Sequence, residues 1–108
     1  MENRFDKVLN NVMRWQEDTF PKATAKSKLL HLREEIEELL MEISNPNYCK
    51  EDIEDELADC YLLLFGASHK LGFSLTREIL DIIEHKFYKN LGRNWQEPDE
   101  NNVYRHIK

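Results

Sequence analysis

Between Leu57 and Ala67 the chain reads LADCYLLLFGA, which on a helix is apolar on nearly every side. A helix of that kind is not a surface helix; it has to be surrounded by other helices or by a second subunit. The helical pattern begins near Glu51 and runs to about Leu71, where Gly72 supplies the left-handed position that commonly closes a helix.

Suitable neighbours lie on both sides of it in the sequence. Phe5, Val8, Leu9, Val12 and Trp15 recur at helical spacing and predict a first amphipathic helix ending before Pro21, followed by a loop from Phe20 to Ala25. A second helix is expected from about Ser27, a plausible N-cap, to Ile43. Leu29, Leu32, Ile36, Leu39, Leu40 and Ile43 form its buried stripe, and Asn45-Pro46-Asn47 ends it. A fourth helix, capped by Ser74 or Thr76, carries Ile79, Leu80, Ile82, Ile83, Phe87 and Leu91 inward, with Gly92 near its end. The remainder to Lys108 reads as a polar, irregular tail. Only three Gly and three Pro are present, with no repeat, no alternating strand pattern and no glycine-rich phosphate loop. The expectation is therefore an all-α four-helix bundle forming a single domain over residues 1–108. Three short neighbours cannot cover so apolar a third helix, which predicts a homodimer or homotetramer.

A formal net charge of -6 argues against nucleic acid as a partner, because that binding needs a basic face to displace counterions. A small anionic substrate would need a metal bridge. The N-terminus lacks the apolar stretch of a signal peptide and no run of about 18 apolar residues could span a bilayer, so a cytoplasmic protein without a membrane partner is expected. Cys49 and Cys60 lack metal-site spacing and are expected to be reduced thiols.

The acidic residues carry the chemistry. Glu35 and Glu38 are three apart on the second helix and can share an ion, with Glu35 at the border of the apolar stripe, Glu38 further out and Glu37 on the far side. Glu56 and Asp59 repeat that spacing on the third helix, surrounded by Leu57, Cys60, Leu63 and Leu64. Ionised carboxylates in apolar surroundings pair, protonate or bind metal, and nearby basic residues are too few to neutralise four acids. Two antiparallel helices can bring the pairs face to face as hard oxygen ligands suited to Mg2+ or Mn2+ rather than zinc. E-x-x-E alone is common on solvated faces; an E-x-x-D opening an apolar helix is harder to explain that way. A di-iron bundle would need Glu-x-x-His motifs, and none of the four histidines has Glu three residues before it. No EF-hand loop is present.

With the motifs Glu34-Glu35-x-x-Glu38 and Glu56-x-x-Asp59 the chain resembles the MazG-type all-α nucleoside triphosphate pyrophosphohydrolases, whose signature is EExxE, a spacer, then ExxD. Trp15 to Phe20, His31-Leu32 and Lys86-x-x-x-Asn90-x-x-Arg93-x-Trp95 are similar to the compact phage and bacterial branch, so the resemblance covers residues 15–95. It implies Mg2+-dependent hydrolysis between the α and β phosphates, releasing a monophosphate and pyrophosphate, with Mn2+ as a possible substitute. Glu35, Glu38, Glu56 and Asp59 would be the metal ligands and Glu34 would assist from nearby. Glu38 is the choice for the water-activating base, with Glu35 and Glu56 close competitors. A purine deoxynucleotide is the expected substrate, although dUTP, dCTP and phosphoribosyl-ATP hydrolysis are also associated with this superfamily.

Lys86, Asn90 and Arg93 fall at i, i+4 and i+7 and offer two cations and an amide to phosphate oxygens; an ordinary basic helix end is the bland alternative. Trp15 could stack on a base, though a core position is the simpler expectation on that face. Lys28 and His31 most simply balance the acidic edge, Tyr61 reads as core, and Trp95 as a seal on the end of the bundle. The competing function is a noncatalytic helical oligomerisation module in which the acids hold a structural divalent cation.

Overall fold

The computed structural model describes residues 3–74 and 77–108. Four α-helices follow in order, α1 Arg4–Thr19, α2 Ala25–Ile43, α3 Lys50–Lys70 and α4 Glu78–Leu91. Among the described residues there is no strand, only one isolated bridge between Trp95 and His106. No helix is long and apolar enough to cross a membrane among the described residues.

The chain divides into two units, 1–76 and 77–108. In the first, Asn3 caps α1 by accepting from the Asp6 N–H at 2.9 Å, and Pro21 prevents its continuation past Phe20. The N-cap of α2 is Thr24 rather than Ser27. Ser27 is the third helical residue, and the two hydroxyls and two backbone N–H groups close a reciprocal capping box at 2.8 and 3.0 Å. After the short connection 44–49, α3 turns back along α2, and α1 lies against α3. Gly72 closes α3 with φ +92°, a conformation that costs glycine nothing.

The packing lines differ from those expected. On α1 the buried residues are Leu9, Met13 and Gln16, while Phe5, Val8 and Trp15 are exposed. On α2 the line through Lys28, Leu32, Glu35 and Leu39 turns inward, and Leu29, Ile36, Leu40 and Ile43 are left exposed. These are two adjacent stripes on one helix, and α3 can cover only one of them. On α3, Gly66 and Ala67 are buried but Tyr61 and Leu64 are exposed, so α1 and α2 do not surround the helix within its own unit, and Tyr61 is not core. Two neighbouring helices cannot enclose a cylinder.

In the second unit α4 has no buried residue, and Leu80, Ile82, Ile83, Phe87 and Leu91 are all exposed rather than turned inward. Its own unit offers only a polar tail as cover. Arg77 occupies the N-cap position with no side-chain bond; Ser74 lies further upstream, and Thr76 is outside the described residues. The tail has no helix or strand, as expected, but hydrogen bonds fold it back on itself. Gln96 N–H donates to Arg105 O and Ile107 N–H to Asn94 O, both at 2.8 Å, and the Asp99 carboxylate accepts from Asn101, Val103 and Arg105 across the turn. Those donors hold the Asp99 carboxyl below its usual range, led by the Val103 N–H. Trp95 packs edge-on against His106 and belongs to this hairpin-like closure.

Candidate metal centre and adjoining cleft

Because Glu35 lies on the inward line of α2 and Glu56 on the facing line of α3, the hairpin presses carboxylates together. One oxygen from each of Glu35, Glu38 and Glu56 lies within 4.8 Å of the other two. Glu56 Oε2 is buried and has no hydrogen-bond partner among the described residues. Burial pushes the Glu56 carboxyl above its usual range, and the charges of Glu38, Glu35, Asp59 and Glu42 push it further the same way. Among the described residues, Glu35 alone of the others has a local partner, His31 Nε2 at 3.2 Å one turn back on α2.

An orphaned carboxylate oxygen among converging acids fits a cation ligand, since a buried acceptor without a partner costs stability. The donor set is oxygen only, which suits Mg2+ or Mn2+. The residues therefore fit a divalent cation.

Asp59 is not part of the converging group. It is exposed one turn beyond Glu56 rather than enclosed by apolar side chains, because the inward line of α3 passes through Glu56, Cys60 and Leu63. It remains close enough to act on the Glu56 charge and lines the cleft described below. Glu34 is exposed and also outside the group. Glu42, not singled out in the sequence, lies seven residues beyond Glu35 on the same face, outside the converging group, and acts on Glu56 only as the weakest of those charges.

Next to the acids opens a cleft of about 480 Å3 reached by Glu35 and Asp59, a size in the range of small-molecule sites. Trp15 and Phe20 form one wall, edge to face with centroids 5.4 Å apart, and Leu62 and Leu63 supply apolar surface. Trp15 is 57% exposed, so it is a cleft residue and not the core residue that its helix face suggested. Lys28 and Gln16 also line the cleft, although both are buried. Lys28 Nζ donates to Gln16 Oε1 at 2.8 Å, and Gln16 Nε2 donates to the Leu62 carbonyl at 3.4 Å. Gln16, outside the stripe expected for α1, lies on its buried line with Leu9 and Met13.

In the second unit Lys86, Asn90 and Arg93 share one side of α4 and its extension. Arg93 Nη1 donates to Asn90 Oδ1 at 3.1 Å, and Arg93 is the main cause of a lowered Lys86 pKa. The two cations thus form one positive patch within that unit, whose chemistry suits phosphate oxygens.

The sequence model of the dATP/dGTP pyrophosphohydrolase family matches residues 8–108. No curated protein matches the sequence significantly. Among solved structures, a cyanophage S-2L MazG-like pyrophosphohydrolase bound to dGDP and three catalytic Mn2+ ions is similar to this chain. The TM-score is 0.75 at 22% identity, over 99% of this chain and 100% of that one. The fold is thus the MazG-like one, and with nearly every residue inside the family match the chain belongs to the dATP/dGTP pyrophosphohydrolase family.

Proposed function

We propose that the protein hydrolyses a purine deoxynucleoside triphosphate between the α and β phosphates, releasing the monophosphate and pyrophosphate, with Mg2+ as the working cation and Mn2+ as a substitute. Family membership makes the chain a nucleotide pyrophosphohydrolase and disposes of the noncatalytic alternative. The observation that carries the finer reading is the convergence of Glu35, Glu38 and Glu56 beside a cleft with an aromatic wall.

Glu35, Glu38 and Glu56 would hold the cation, with Asp59 as a further ligand from the cleft edge. A divalent cation held there would supply positive charge to offset the triphosphate and to acidify a water. Glu38 is the exposed member of the converging group, and we assign it the proton of the attacking water. Glu34 assists from the outer edge of α2. His31 fixes the Glu35 carboxylate through their 3.2 Å contact. Trp15 and Phe20 offer faces on which a base can stack, and Leu62 and Leu63 keep water from it. The Lys86, Asn90 and Arg93 patch is assigned to phosphate oxygens on its own chemistry. The exposed stripe Leu29, Ile36, Leu40 and Ile43 supports association into a homodimer or homotetramer; a sedimentation experiment showing only monomer at micromolar concentration would remove that part.

Pyrophosphate release from a panel of ribo- and deoxynucleoside triphosphates with Mg2+ tests the reading. Purine deoxynucleotides are expected to turn over fastest. No turnover of any member by a helical, folded protein overturns it.

A further inference from the structure

We propose that the Lys28 ammonium, held by Gln16, reads the edge of the substrate base and selects guanine over adenine. This rests on the pyrophosphohydrolase reading above and adds a specificity-determining residue to it.

Lys28 is only 6% exposed and Gln16 7%, and together they form a buried polar floor beside the apolar walls of a cleft that Ser27, His31, Glu35 and Asp59 also line. The floor is built for them. Gly66 sits beneath, and a Cβ there would lie 2.5 Å from Gln16 Oε1 and 3.1 Å from Lys28 Nζ. An ammonium has three donors. Among the described residues Gln16 Oε1 is its one hydrogen-bond partner, because Glu17, the nearby acid, is engaged by His69 at 3.0 Å and Lys70 at 3.9 Å. Burial, then Lys70, lowers the Lys28 pKa, as expected of a cation short of partners. A buried Lys and Gln pair used only for packing would be outdone by apolar residues of similar size.

The placement suits a base. Lys28 and Glu35 line the cleft from one face of α2, seven residues apart, which sets their Cα atoms about 10 Å apart along the helix. That span is comparable with a nucleoside whose α phosphate lies at the acids, with Trp15 and Phe20 alongside. Guanine presents two acceptors, O6 and N7, on one edge, whereas adenine places an amino donor beside N7. A donor-only ammonium satisfies the first and leaves the second with opposed donors.

The test compares kcat/KM for dGTP, dATP, dITP, which keeps O6 and N7, and the 2-aminopurine deoxynucleoside triphosphate, which lacks O6. We expect dITP to match dGTP, and the other two to fall about tenfold or more below it. Lys28→Met is expected to raise KM for dGTP and bring the dGTP to dATP ratio towards one. Calorimetry of deoxyguanosine and deoxyadenosine without metal should show the same preference. Equal use of dGTP and the 2-aminopurine analogue overturns the proposal, as does a Lys28→Met loss equal for both purines. If the variant does not fold, the analogue series on the native protein decides alone. Absence of all turnover alongside a retained guanine preference in calorimetry would sink the hydrolase reading and leave the base reading standing.

Discussion

Gly66 lies directly against Gln16: a Cβ on Gly66 would come within 2.5 Å of Gln16 Oε1, the atom that accepts from Lys28. The small residue on α3 is therefore what lets a polar pair sit between three helices. Gly66→Ala improves helix propensity, but it pushes Gln16 off Lys28 or off the Leu62 carbonyl. The expected net effect is a loss of about 1–3 kcal/mol from overpacking, measured by urea denaturation. An unchanged midpoint would show that the pair moves aside freely.

Glu56 is the second lever. Its folded-state pKa is raised, first by burial and then by neighbouring acids, so its ionised form is disfavoured in the metal-free fold. The contribution is favourable below the unfolded carboxylate range and is lost as pH rises through the raised value. With a chelator present, the melting temperature should fall as pH rises from the ordinary carboxylate range through the raised value, and Glu56→Gln should reduce that slope. The same variant should lose more than about a hundredfold in turnover, since the site loses an inward carboxylate. Wild-type activity would remove Glu56 from the metal shell.

Trp15 separates binding from stability. It is exposed and in edge contact with Phe20, so Trp15→Ala should leave thermal unfolding nearly unchanged. Base stacking of about 1–3 kcal/mol would then be lost mainly as a rise in KM of roughly five- to a hundredfold. An unaltered KM would place the base elsewhere.

Spacing made the chemistry more legible than the packing. Glu35 with Glu38, and Glu56 on the next helix, were readable because residues three apart share a helix side and a short connection folds one helix onto the other. Asp59 was misjudged in its surroundings. Periodicity tells which residues share a face but not which of two adjacent apolar faces a neighbour takes. The same ambiguity turned Leu29 and Ile36 outward when they were expected inside, and exposed Tyr61 and Trp15. At Thr24 and Ser27 either hydroxyl could cap, and only the reciprocal bonds decide which residue starts the helix. Gln16 and Glu42 escaped notice because each interrupts a pattern defined by other residues. A lone polar residue on an apolar line can be read only once the opposite wall of the cleft is known.

The bare oxygen of Glu56 has a consequence for how long the molecule lasts. A cation that satisfies it binds the folded chain and not the open one, so the ion shifts the folding equilibrium as well as serving the reaction. Divalent-ion supply would then govern resistance to proteolysis along with catalytic rate, and a molecule deprived of its ion would be the first to be cleared.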